Sequence, residues 1–88
     1  MSGELHIASF VAYARPDAVE SVVKAIQAAR LAEVPLHDEK GRIVIVVEGP
    51  SAGRVLDVMD AVRALEGVLA VHLAYQHAEP ESEMQEKP

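Results

Sequence analysis

The 88-residue chain contains no cysteine, no asparagine and no threonine, and its only aromatic residues are Phe10, Tyr13 and Tyr75. Without cysteine there is no disulfide, no thiolate nucleophile, no thiolate metal site and no iron–sulfur ligation. Small secreted domains commonly rely on disulfide staples, so this composition fits a reducing cytoplasm. With so few aromatics, a core must be assembled from β-branched and small residues. The chain is 50% hydrophobic, enough for one small domain and no second. Positive charge is also short: eight Lys and Arg stand against fourteen Asp and Glu, for a net charge of −6. Nucleic-acid binding draws most of its affinity from cations on phosphates, so the sign is wrong for that function. A basic partner is favoured, because opposite fields steer encounter; acidity used only for solubility is the plainer alternative. Met1-Ser2-Gly3-Glu4 offers no basic leader region, and the apolar run after it is interrupted by His6, Ser9 and Arg15. That stretch is read as neither a signal peptide nor a membrane span.

Catalytic patterns are missing as well. None of Ser2, Ser9, Ser21, Ser51 and Ser82 sits in a GxSxG elbow, and there is no phosphate-binding loop and no GxGxxG. His6, His37, His72 and His77 show neither HxH nor HxxxH spacing. His72 and His77, five apart on one strand, are expected to point to opposite faces. No metal, no cofactor and no enzyme activity are expected.

What is present is a regular alternation of elements. Leu5 to Ala14 reads as a strand. Arg15-Pro16-Asp17 then punctuates, with Asp17 and Glu20 spaced as a capping box. Val19, Val22, Val23, Ile26 and Ala29 form one apolar helical stripe. Glu33 to Asp38 reads as an edge strand because Pro35 cannot donate to a ladder. Glu39-Lys40-Gly41 forms a hairpin turn. Arg42 to Glu48, with five consecutive β-branched residues, reads as a central strand. Ser51 is a candidate N-cap for a second helix with the stripe Val55, Val58, Met59 and Val62, and Gly67 is placed at its C-terminal cap. Val68 to Tyr75 forms the last strand.

The order is βαββαβ, and its two halves repeat the same helical stripe 36 positions apart. Such a chain folds as an α+β ferredoxin-like sandwich, a four-stranded antiparallel sheet with two helices on one face. A single domain over residues 1–77 and a disordered acidic tail over 78–88 are expected.

With both helices on one side, the other face of the sheet is left open. Alternation assigns Ala8, Phe10, Ala12, Val34, Leu36, Ile43, Ile45, Val47, Leu69, Val71, Leu73 and Tyr75 to the helix side. Ile7, Ser9, Val11, Tyr13, Pro35, His37, Val44, Val46, Glu48, Ala70, His72, Ala74 and Gln76 fall on the open side. Ile7, Val11, Val44, Val46, Ala70 and Ala74 then form a contiguous apolar patch, which marks an interface. RNA-recognition domains of this fold stack bases on aromatics at the third strand, where this chain has Val44 and Val46.

The runs ASFVAYARP (Ala8 to Pro16), IVIVVEG (Ile43 to Gly49) and EGVLAVHLAYQH (Glu66 to His77) resemble the first, third and last strands of the NapD family. The likeness extends in register over about residues 5 to 77. It implies a cytoplasmic chaperone with this fold and no enzymatic activity. It also implies a partner: the twin-arginine signal peptide of the periplasmic nitrate reductase catalytic subunit, held from Tat export during cofactor loading. The expected peptide-binding residues are Ile7, Ser9, Val11, Tyr13, Val44, Val46, Glu48, Ala70, His72 and Ala74. Glu48 comes first among the carboxylates for the arginines, followed by Glu33 or Asp38. Neither nucleic acid nor stable membrane association is expected, and the free chain is expected to be a monomer or weak dimer. An ACT-like small-molecule-binding regulatory module shares the βαββαβ order, but it places a glycine-rich turn where Arg15-Pro16-Asp17 stands. A purely structural obligate dimer, packed sheet on sheet, is the third alternative.

Overall fold

The structure is a computed structural model that describes residues 4–80. The elements are β1 (Glu4–Ala14), a 3-10 turn (Pro16–Ala18), α1 (Val19–Ala28), β2 (Glu33–His37), β3 (Arg42–Gly49), α2 (Ala52–Arg63) and β4 (Val68–Pro80). The four strands form one antiparallel sheet in the order β2-β3-β1-β4. This is the ferredoxin-like α+β architecture, with β1 and β3 central.

The helical stripes are buried except at their margins: Met59 is half-buried against the core, and Ala29, expected to continue the α1 stripe, is the exposed cap residue beyond the helix. Val19, Val22, Val23 and Ile26 of α1 are buried, as are Val55, Val58 and Val62 of α2. They pack on the inward sets of the central strands: Ala8, Phe10 and Ala12 from β1, and Ile43, Ile45 and Val47 from β3. Phe10 is the one large aromatic in a core otherwise made of Val, Ile and Ala.

The ends of the elements hold several departures from expectation. The Asp17–Glu20 capping box does not form. The chain enters α1 through the 3-10 turn, in which the Ala18 N–H donates to the Arg15 carbonyl at 2.8 Å. Asp17 pairs instead with Arg15 on the surface at 3.4 Å. At α2 the expected cap is present, with the Ser51 hydroxyl accepting from the Arg54 N–H at 3.1 Å. Gly67 lies beyond the α2 cap residue, Ala64, in the turn into β4. It has φ 96° and is packed so closely on Ala18 that a Cβ would collide there. The C′ site with positive φ occurs on the other helix: Arg30, at φ 54°, ends α1. The Arg30 N–H donates to Gln27 and the Leu31 N–H to Ile26, both at 3.1 Å, completing a Schellman motif with an arginine where glycine is usual.

The edge strands depart from simple alternation. Along β4, Phe10 pairs with Leu73 but Ser9 with Tyr75, so Ala74 is an extra residue; a second irregularity leaves Leu69 extra between Val68 and Ala70. A one-residue bulge reverses the faces of everything beyond it. Tyr75, expected under the helices, therefore turns to the open side opposite Ser9, while Gln76 moves to the helix side opposite Ala8. Leu69, also expected under the helices, is 68% exposed. His72 and His77 end on the same face, opposite Val11 and Ile7, not on opposite faces.

In β2 the ladder skips between Glu33 and Leu36, because Pro35 has no N–H to give. Leu36 accordingly lies on the open side opposite Val44, and His37 opposite Ile43 on the helix side, the reverse of simple alternation. β4 also continues through Ala78, Glu79 and Pro80, which pair with His6, Leu5 and Glu4, so the strand reaches past the expected start of a tail at residue 78. The remainder of that tail, residues 81–88, lies outside the described residues.

Candidate functional site

The open face is built from matched rows across the two central strands. Ile7 stands opposite Glu48, Ser9 opposite Val46, Val11 opposite Val44 and Tyr13 opposite Arg42. β4 adds His77, Tyr75, His72 and Ala70 opposite Ile7, Ser9, Val11 and Tyr13. β2 adds Glu33 beside Val46 and Leu36 beside Val44. Ile7, Ser9, Val11, Val44, Val46 and Ala70 are half-buried, whereas Tyr13, Glu48 and His72 are exposed. Nine of the ten residues singled out from sequence thus share this face. Ala74 is the exception, since it sits at the β4 bulge.

Three large side chains belong to this surface although simple alternation placed them elsewhere. Leu36, 65% exposed, caps the apolar band at β2, and Tyr75, 54% exposed, extends it at β4. His77 stacks on Tyr75, with ring centroids 6.2 Å apart and planes 22° from parallel. Tyr13 meets His72 edge-on at 5.7 Å. Pro35 beside Leu36 is a sequence signal for a re-phased strand; nothing in the sequence marks the bulge at Ala74.

Two hollows lie along the β2–β3 side of the face. One, of about 420 Å³, is formed by Val11, Tyr13, Leu36 and Val44, with Asp38 and Arg42 at its rim. The other, of about 540 Å³, includes Val46, Glu48, Glu33, Leu31 and Arg30. They are electrostatically unlike. Asp38 is fully engaged: Oδ1 accepts from the N–H groups of Lys40 and Arg42 at 2.9 and 3.1 Å, and Oδ2 accepts from Arg42 Nε at 3.0 Å. The Arg42 backbone N–H, followed by its guanidinium and the Lys40 N–H, holds the Asp38 carboxyl below the ordinary aspartate value. Asp38 is therefore not available to a guest. No hydrogen bond or ion pair among the described residues engages the side chain of Glu33 or Glu48. Among the described residues, no three His, Cys, Asp or Glu side chains group as metal ligands. No helix there is long and apolar enough to cross a membrane.

An apolar sheet face that no described element covers, with carboxylates at one end, has the character of a binding surface. Residues 5–80 match the family model described as NapD protein. The chaperone NapD of Paracoccus pantotrophus is 32% identical over 80 residues, spanning 90% of this chain and 70% of that protein. The chaperone NapD of Escherichia coli (strain K12) is 30% identical over 78 residues, spanning 88% of this chain and 90% of the relative. The solution structure of the E. coli Tat proofreading chaperone protein NapD matches with a TM-score of 0.75 at 29% identity, covering 81% of this chain and 76% of that one. With the family model spanning residues 5–80 and the fold superposing on that chaperone, the chain belongs to the NapD family of chaperones.

Proposed function

We propose that this chain is a cytoplasmic chaperone that binds the twin-arginine signal peptide of the periplasmic nitrate reductase catalytic subunit, holding it from premature Tat export during cofactor loading and maturation. The observation that carries this reading is the band Ile7, Val11, Val44, Val46 and Leu36 on a sheet face that no described element covers. A twin-arginine leader has a basic head and an apolar stretch. Ordering such a segment costs about 1–2 kcal/mol of backbone entropy per residue. Apolar burial at about 25 cal/mol per Å² must offset that cost, so a contiguous apolar platform is the first requirement. Ser9, Tyr13, Ala70 and His72 frame the platform, and Tyr75 and His77 border it along β4. Glu48 with Glu33 supplies carboxylates to the arginines, whose fork adds orientation to attraction.

The test is calorimetric titration with a synthetic twin-arginine leader across a salt series, with amide shifts recorded in parallel. Binding is expected to weaken with salt without being lost, and shifts are expected on the sheet face. Salt-indifferent affinity would remove the carboxylate–arginine contact, and shifts confined to α1 and α2 would remove the site. The free chain is expected to be a monomer or weak dimer by light scattering. A tight dimer that excludes the peptide would favour a structural role.

A further inference from the structure

The two ends of the open face differ in a way that assigns a direction to its guest. Towards the β3 C-terminus, Glu48 follows Val46 on the same face and Glu33 stands beside Val46 across the strand pair. Arg30 shares that hollow and offsets one of the two carboxylates, which leaves the end negative. Towards the β3 N-terminus, the hollow has an apolar floor of Val11 and Val44 with Tyr13 and Leu36 as walls. The charges there are closed on themselves, because Arg42 Nη2 and Asp38 Oδ2 pair at 3.0 Å. One end therefore attracts a cation, and the other offers apolar burial with no net charge.

Given that the face binds a peptide with a basic head and an apolar stretch, we propose that it takes the peptide in one direction only. The basic head lies over Glu33 and Glu48, and the apolar stretch runs parallel to β1 and antiparallel to β3. One large apolar side chain seats between Val11, Tyr13, Leu36 and Val44. Reversal would put the arginines beside Arg42, with no free carboxylate, and would lay apolar side chains against Glu48. The spacing follows from strand geometry. Four residues separate Glu48 from Val44, about 13 Å at 3.3–3.4 Å per residue. A helix covers that distance in about nine residues at 1.5 Å each. The anchoring side chain is thus expected about nine residues after the basic pair.

The experiment is paramagnetic relaxation on the full chain. Two versions of a synthetic twin-arginine leader carry a nitroxide, one beside the arginines and the other at the end of the apolar stretch. The first label is expected to broaden the amides of Glu33, Val46 and Glu48, and the second those of Val11, Tyr13, Leu36 and Val44. The opposite pattern, or both labels broadening both ends equally, overturns the direction while leaving binding intact. No broadening from either label, with no calorimetric heat, removes the binding reading itself. A mutant cycle gives a second readout. Glu48→Gln is expected to weaken the native leader by about threefold to tenfold. It should leave a leader with both arginines replaced by glutamine unchanged, and equal losses for the two leaders overturn the placement of the head.

Discussion

Ile45 and Val46 are neighbours on β3 and nearly the same chemically, yet Ile45 is fully enclosed under the helices while Val46 is half-buried on the side that nothing described covers. The same holds along β1 for Phe10 and Val11. One strand therefore presents two unlike surfaces, one committed to the fold and one that no described element covers. Hydrophobicity alone does not distinguish them; only the position of the two helices does. Because the inner face is already closed by Val, Ile and Phe10, the outer valines are free to serve binding without being needed for folding.

The contrast is sharpest with a charge. Ile45→Asp buries an unpaired carboxylate and is expected to cost at least about 4 kcal/mol, a large share of the stability of a domain this size. Val46→Asp is expected to cost about 1 kcal/mol, as a poor strand former, while abolishing measurable leader binding. Circular dichroism with urea unfolding, followed by calorimetry on the folded variant, reads both. Equal destabilisation would mean the open face is not open. Truncation asks the same question more gently: Phe10→Ala is expected to lose about 3–5 kcal/mol, and Val11→Ala less than about 1 kcal/mol with a clear loss of affinity.

The remaining tests concern the two ends of the open face. Gly41, at φ 112°, sits in the β2–β3 hairpin, and a Cβ there would strike the Ala14 carbonyl. Gly41→Ala is expected to cost about 1–2 kcal/mol, visible as a lower Tm. At the other end, Arg30→Gly relieves a left-handed arginine and is expected to stabilise by about 1 kcal/mol, about 4–8 °C in Tm. It should also tighten leader binding by removing a cation beside Glu33 and Glu48.

The smallest effect belongs to Asp38. Its folded pKa lies below its unfolded one, because the Arg42 N–H and guanidinium favour the carboxylate. The hairpin stability this supplies is present above the ordinary aspartate pKa, and it is lost as pH falls through the lowered value. Because Asp38 is solvent-exposed, the loss is slight. Asp38→Asn should flatten the acid limb of the stability curve, and an unchanged limb would show that the pair contributes nothing there.

The central strands were legible from sequence because β1 and β3 pair without interruption from His6–Gly49 to Tyr13–Arg42, so period two survives across the whole ladder. Both helical stripes and the Ser51 cap were legible for the same reason: each depends only on spacing within one element. Seven of the ten expected site residues follow from the regularity of β1 and β3, and Ala70 and His72 from the stretch of β4 between its two irregularities. Leu36, Tyr75 and His77 did not, because each lies beyond a break in pairing, at Pro35 or at Ala74. A bulge is a property of two strands together, and the alternation in Val68–Tyr75 looks unbroken when read alone. Asp38 differs from Glu33 and Glu48 for another reason. Its carboxylate is consumed by a turn in which its partners, Lys40 and Arg42, come back to it through the hairpin.

Sequence alone therefore determined the element order, the buried helix stripes, the composition of the sheet and the sign of the charge, because periodicity and composition act locally. Only the tertiary structure decided which way the far half of β4 turns, which carboxylates stay free and which end of the open face is apolar. Those depend on register between strands distant in the chain, and a shift of one residue there exchanges the two faces.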